Sequence, residues 1–272
     1  MNLPERIAGF LLFLFFIPIA NNMRVLDHTI TFRHPSFPDL KNTLDFSIRQ
    51  KQIPVLCYHN IKPNVAGSSA DYTISKDQFQ MHMKMLSDSG YHSILPDQLY
   101  NYLTMGTQLP EKPIIISFDD THEEHFSIAA PILERFGFKG VFFTMTVPIG
   151  KPHYMTAEQI KQLSNKGHVI AGHTWNHPDI RKCAAKDWEV QITKPKQKLE
   201  QITGKPILYF AYPFGAWNYA AITELKKRNI KAAFQLSGKR SEQEPLYTIR
   251  RLMIPGNWSA GHLYKEINIV FK

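Results

Sequence analysis

The chain has 272 residues, enough for one large domain or a domain with a tail, and its apolar fraction is ordinary for a protein with a sizeable core. A formal charge of +9 suits anionic surroundings such as membrane surfaces, wall polymers or nucleic acid. The basic residues are scattered, though, with no cluster longer than Lys226-Lys227-Arg228 and only pairs such as Arg250-Arg251 beside it, so a nucleic-acid groove is not expected.

Residues 7–20 are wholly apolar and follow Arg6. They are too few for a comfortable membrane span of about 20 residues and match the length of a signal-peptide core. Pro18 spoils the cleavage site before Ala20, so an uncleaved anchor and membrane association through residues 7–20 stay open. Residues 1–21 are therefore read as a signal peptide or anchor, 22–50 as a spacer, and 51–272 as the folded domain. The first cysteine is Cys57, which argues against lipidation at the end of the apolar run. Cys57 and Cys183 do not make a disulfide framework, and Cys57 reads as a small buried residue in an apolar strand.

From residue 51 onward, short apolar runs alternate with helical patterns. Ile53–Tyr58 reads as a strand. Lys76–Ser89 is amphipathic, with Phe79, Met83 and Leu86 at helical spacing and Gly90 beyond its end. A short strand near Tyr91–Leu95 and a helix over Pro96–Met105 follow. Ile114–Phe118 is a buried strand. Helices are expected over His125–Phe136, from Thr156 to Asn165, over Ala184–Thr203 with a break near Pro195, and over Tyr219–Arg228. Strands are expected at Gly140–Met145, His168–Ala171, Ile207–Tyr212, Lys231–Gln235 and Tyr247–Met253. A last helix covers Ala260–Val270. This alternation predicts an α/β fold, a distorted (β/α) barrel of about seven parallel strands, closed or incomplete. A monomer is the simplest expectation.

Three stretches carry chemistry. Ile114-Ile115-Ile116-Ser117-Phe118 delivers Asp119 and Asp120 to the C-terminal end of a buried strand, the edge where barrels place their reactive groups. Two close carboxylates repel unless a cation sits between them or one is protonated. The same pair could instead cap the following helix. Gly172-His173-Thr174-Trp175-Asn176-His177 also follows a strand. Histidines four residues apart can share one face of a helical turn and bind one metal, and one carboxylate with two histidines leaves a position open for water. Tyr209-Phe210-Ala211-Tyr212-Pro213-Phe214-Gly215 ends a third strand in a Pro/Gly turn that can expose backbone N–H groups.

Together, Ser117-Phe118-Asp119-Asp120, His173-Thr174-Trp175-Asn176-His177 and Ala211-Tyr212-Pro213-Phe214-Gly215 resemble, in that order, the motifs of the polysaccharide deacetylase family, the carbohydrate esterases with a NodB-homology domain. The resemblance spans roughly residues 51–258. It implies a metal-dependent hydrolase that removes N-acetyl groups from an extracytoplasmic N-acetylglucosamine polymer: poly-β-1,6-N-acetylglucosamine, peptidoglycan or a chitin-like chain. It implies Asp119 as general base and Asp120, His173 and His177 as ligands of a divalent metal, with Zn²⁺ favoured and Co²⁺, Ni²⁺ or Fe²⁺ also suited. The backbone N–H of Phe214 would help hold the oxyanion, with Tyr212 in the site wall. Pro54-Val55-Leu56-Cys57-Tyr58-His59-Asn60 resembles an early strand of the poly-β-1,6-N-acetylglucosamine branch, which implies His59 as the acid that protonates the leaving amine; a structural histidine is the alternative.

The departures are specific. Many members carry Arg where Ala211 stands, and Arg251 is the candidate to replace it. The residue after Asp120 is often Gly and here is Thr121. The aromatic wall is unassigned between Trp217 and Trp258. His122-Glu123-Glu124-His125 is either an acidic helix start with two incidental histidines or a change to the site's rim. An O-acetyl esterase fits the same residues, and a metal- and glycan-binding homologue without turnover is a third reading. A zinc peptidase would show His-Glu-x-x-His, which is absent.

Overall fold

A computed structural model of the chain describes residues 47, 50–63, 72–236 and 238–271. The expected leader or anchor of residues 1–21 lies outside the described residues, as does the 22–50 spacer apart from Ser47 and Gln50. Among the described residues no helix is long and apolar enough to cross a membrane.

The chain opens with β1 (Val55–Tyr58), whose four residues are all buried. Two short strands absent from the sequence reading, β2 (Asn60–Lys62) and β3 (Thr73–Ser75), pair in parallel apart from the main sheet. Helix α1 (Lys76–Asp88) starts where the Ser75 hydroxyl accepts from the Gln78 N–H, and it buries Phe79, His82, Met83 and Leu86 on one face. Next come β4 (His92–Ser93) and α2 (Pro96–Met105), which is closed by Gly106 in the left-handed conformation at φ +69°. Strand β5 (Pro113–Phe118) delivers the paired carboxylates. A π turn over His125–Ala129 runs into α3 (Ala130–Arg135), so the expected His125–Phe136 helix is only partly α. Strand β6 (Gly140–Thr144), helix α4 (Ala157–Asn165, with a Thr156/Gln159 capping box) and β7 (Val169–Gly172) follow.

The predicted Ala184–Thr203 helix starts late. A π turn over Glu189–Thr193 leads into α5 (Lys194–Thr203), and Pro195, which has no N–H to donate back into the preceding turn, falls where the helix changes from π to α. The chain then forms β8 (Tyr209–Ala211), α6 (Tyr219–Lys227), β9 (Ala232–Gln235), β10 (Ile249–Arg250), β11 (Leu252–Met253) and α7 (Ala260–Val270).

The main sheet runs β10-β9-β8-β7-β6-β5-β1-β11, with every pair parallel, and β4 adds to β5 off this path. The predicted Tyr247–Met253 strand is split in two. Ile249 pairs with Phe234 of β9, while Leu252 pairs with Leu56 of β1. The two edges of the sheet therefore meet across Arg251, and the sheet nearly closes into a barrel. Counting β10 and β11 as one strand gives the expected ring of about seven.

Side chains alternate across this ring with the period of a strand. Val55, Ile115, Val141, Phe143, Ala211 and Phe234 fill the interior together with Leu99 and Leu103 of α2. Leu56, Tyr58, Ile116, Phe118 and Phe142 face the other way and pack with Phe79 and Met83 of α1 and Leu133 of α3. All of these side chains are buried, so register is strongly specified: a one-residue slip would exchange the two sets.

Candidate metal centre and active site

Asp119 continues the inward alternation Ile115, Ser117, Asp119. Its N–H extends the ladder by donating to the Tyr58 carbonyl at 3.0 Å. The side chain is 2% exposed, and a lone buried carboxylate there would be costly. Arg251 offsets this. Its Nη1 and Nη2 donate to Oδ1 and Oδ2 at 2.7 and 2.8 Å, a bidentate pair. The guanidinium also lies over the Phe143 ring at 4.9 Å. The Cys57 thiol, one interior position beyond Val55, donates to Asp119 Oδ2 at 3.5 Å. Burial pushes the Asp119 carboxyl upward, but the charges of Arg251 and His173 prevail and hold it well below the usual carboxylate range.

Asp120 would point away from Asp119 on an ideal strand. It does not, because the backbone turns left-handed at Asp120 (φ +77°) and Thr121 (φ +66°). A β-branched residue in that region is strained, and neighbours hold it there. The Thr121 hydroxyl donates to the Met145 carbonyl at 3.0 Å, and the Thr121 carbonyl accepts from the Met155 N–H at 3.0 Å. This φ accounts for the glycine expected at Thr121.

His173 directly follows β7 and is 1% exposed. Its Nδ1–H donates to the Ala211 carbonyl at 2.8 Å; a carbonyl can only accept, so Nδ1 carries a proton and Nε2 is the nitrogen turned to the carboxylates. That Nε2 lies 3.5 Å from Asp120 Oδ1 and 3.8 Å from Asp119 Oδ2. His177 Nε2 lies 3.7 Å from the same Asp120 oxygen. The sequence placed the two histidines on a helical turn, and the structure corrects this. They sit in a loop with Thr174 at φ +67° and His177 at φ +63°, tied by the His177 N–H to the Thr174 hydroxyl at 2.9 Å.

One donor atom from each of Asp120, His173 and His177 lies within 4.8 Å of the others. Asp120 Oδ1 and His173 Nε2 are buried without a hydrogen-bond partner among the described residues. Orphaned polar atoms of this kind, converging with a third donor, fit a divalent cation. Burial raises the Asp120 carboxyl, but the adjacent His173 brings it down to about 2. His173 moves the opposite way: burial lowers it, and Asp119 and Asp120 more than compensate.

Asp119, Asp120 and His177 line an open cleft of about 830 Å³, with the buried His173 in contact with them. His59 follows β1 and stands at its side, with Nε2 4.0 Å from Asp119 Oδ2 and a buried Nδ1 that lacks a partner among the described residues. Burial lowers the His59 imidazole, against the pull of Asp119. Phe214, at φ +60°, exposes its ring to the cleft and packs edge-on against His177 at 4.5 Å. Trp258 also lines the cleft. Trp217 does not; its Nε1–H donates to Gln235 at 2.7 Å. Tyr212 departs from the expected site wall. It is fully buried, packs edge-on against Phe210 at 5.6 Å, and belongs to the core beneath α6. The strand parity that points Ala211 inward points Tyr212 outward. Sequence reasoning also missed the approach of Cys57 to Asp119, which the same parity could have shown.

The polysaccharide deacetylase family model matches residues 106–233. YxkH of Bacillus subtilis (strain 168), named as a candidate polysaccharide deacetylase, is 26% identical over 207 residues, 75% of this chain and 72% of that one. The poly-beta-1,6-N-acetyl-D-glucosamine N-deacetylase of Staphylococcus aureus (strain MRSA252) is 25% identical over 211 residues, 72% of each chain. The solved structure of the Streptococcus pyogenes deacetylase PplD, in complex with acetate, shares the fold with a TM-score of 0.73 at 24% identity, over 79% of this chain and 98% of that one. Residues 106–233 thus match the polysaccharide deacetylase family, and the likeness to a deacetylase-type relative extends over 75% of the chain.

Proposed function

We propose that this protein hydrolyses the N-acetyl amide of an N-acetylglucosamine polymer outside the cytoplasm, with a divalent metal held by Asp120, His173 and His177. The observation that carries the reading is the convergence of those three donors beside the Arg251-held carboxylate of Asp119, at an open cleft. The likeness to the S. aureus enzyme supports a β-1,6-linked glucosamine polymer as substrate. The apolar residues 7–20 support export or anchoring. We assign residues 51–272 to the catalytic domain on the same basis.

A divalent ion in this donor set supplies Lewis acidity, easing the ionisation of water and polarising the acetyl carbonyl. The chain's own groups do the rest. Asp119 accepts the proton of the attacking water. Its Oδ2 is the suitable atom, since that oxygen lies nearest His59 and His173. Arg251 keeps the carboxylate ionised and fixes its plane. The backbone N–H of Phe214 steadies the oxyanion of the tetrahedral state. An amine leaves poorly unless protonated, and His59 delivers that proton. Its burial makes the imidazolium a stronger acid than one in water. Tyr72, edge-on to His59 at 5.3 Å, and Trp258 give the sugar apolar faces to rest on.

The test is acetate release from a β-1,6-linked N-acetylglucosamine oligomer, a chitin oligomer, peptidoglycan and acetylated xylan, each with Zn²⁺ and with chelator. Chelator-sensitive release from one glucosamine polymer supports the reading and chooses the substrate. Release from xylan alone moves the assignment to an esterase. No release despite bound metal makes the protein a binding homologue.

A further inference from the structure

The segment His122-Glu123-Glu124-His125 contributes none of the three candidate metal ligands, yet it touches the chain at His59, between β1 and β2. His125 is fully buried, with the Phe118 ring at 5.3 Å and the His122 ring at 5.6 Å. Its Nε2 lies 2.7 Å from the His59 carbonyl oxygen. A carbonyl can only accept, so this nitrogen carries the proton. The other nitrogen, Nδ1, is then a bare acceptor, buried without a partner among the described residues. If the position served packing alone, a Phe or Leu would fill it without leaving that acceptor unsatisfied. The imidazole is explained by the one bond it makes.

That bond falls where the strand runs out of partners. The β1–β5 ladder ends at Tyr58↔Phe118, and the Tyr58 carbonyl goes to the Asp119 N–H. The Asn60 N–H turns away to the Tyr72 carbonyl. The His59 carbonyl lies between these two bonding patterns, and His125 satisfies it. One residue earlier, Glu124 pairs with Lys62 of β2 at 2.6 Å. The π turn that begins at His125, closed by the Ala130 N–H on the His125 carbonyl, thus grips the chain at two points around His59. Such turns recur at functional sites.

We propose that His125 is a positioning residue for amide hydrolysis: by holding the His59 carbonyl, it sets the backbone from which the His59 imidazole reaches the leaving nitrogen. The inference rests on the proton-donating role given to His59 above.

Two substrates test it: a β-1,6-linked N-acetylglucosamine oligomer, and 4-nitrophenyl acetate, whose leaving group departs without a proton. His125→Phe should lower kcat on the oligomer by about 10- to 100-fold, the scale of a misplaced catalytic group, with KM and metal content little changed and a much smaller loss on the ester. His125→Gln, whose amide reaches the same carbonyl, should recover most of that activity. His125→Asn, which falls short of it, should not. In a His59→Ala background, His125→Phe should add no further loss on the oligomer, a coupling that a merely structural role would not produce. Equal losses on both substrates, or additive losses in the double variant, would overturn the inference. If His125→Phe fails to fold, the comparison of Gln with Asn decides alone, and equal activity of the two sinks the idea. Full amide turnover by His59→Ala would instead remove the role of His59 itself. An impaired His59→Ala beside an unimpaired His125→Phe would remove only the positioning role.

Discussion

The guanidinium of Arg251 and the carboxylate of Asp119 meet side by side in the barrel interior, two donors on two acceptors, from positions 132 residues apart in sequence. Both side chains are almost wholly removed from water. Breaking such a pair strands a buried charge, which typically costs about 3–5 kcal/mol. Arg251→Met should therefore lower the unfolding free energy by roughly that amount in urea titrations at pH 7. Adding Asp119→Asn to it should restore part of the loss. A single Arg251→Met variant as stable as the parent would mean that the pair contributes no net stability.

The ligand and base roles separate by metal content. Asp120→Asn should lose bound metal and acetate release together, because Asp120 Oδ1 is the atom both histidines approach. Asp119→Asn should keep the metal and lose activity by about 10²–10⁴-fold, the range of a general base. Elemental analysis of the two purified variants checks this, and loss of metal from both would merge the roles.

Stability should fall on mild acidification. Burial holds His82, His125 and His168 near 4, below the ordinary value of about 6.5. The folded state keeps them neutral while the unfolded chain takes up protons. Their contribution is complete above pH 6.5 and is lost as the pH drops from there through about 4. The slope is about 1.4 kcal/mol per pH unit for each histidine. His173, which burial lowers but Asp119 and Asp120 raise further, titrates above this window and does not cancel it. Unfolding free energies at pH 7 and pH 5 should differ by several kcal/mol on this scale, and a flat profile would show that these rings are protonated in the fold.

His59→Ala should discriminate between leaving groups. Amide cleavage needs a proton on the departing nitrogen, and an alkoxide leaves more readily. Loss should thus be larger on an acetylated glucosamine oligomer than on acetylated xylan, by about tenfold or more. Equal loss on both would count against His59 as the amine's acid.

Much of the site was legible because its groups sit beside their strand ends. The run Ile114–Phe118 announced both its burial and the carboxylates that follow, and Gly172-His173 did the same for β7. What needed coordinates was distant or backbone-driven. Arg251 meets Asp119 only because the last strand closes the ring, and sequence offered no more than its position. His177 reaches Asp120 and His173 through left-handed residues at Thr174 and His177, where spacing suggested a helical turn. Tyr212 was placed in the wall because its neighbours are functional, whereas strand parity sends its ring into the core. The His125 contact depends on a π turn, whose extra residue leaves no signature in hydrophobic periodicity.

The split of the final strand at Arg251 also bears on the order of assembly. Strands β1 and β5 are complete by residue 118, yet the cation that neutralises Asp119 emerges from the ribosome long after the carboxylate it serves. Until Ile249–Met253 docks, the nascent barrel is an open sheet with an uncompensated acid on its inner face and two unpaired edges. Insertion of this stretch seals the edges and installs the partner of Asp119 in the same event, so the site and the closed sheet are completed together.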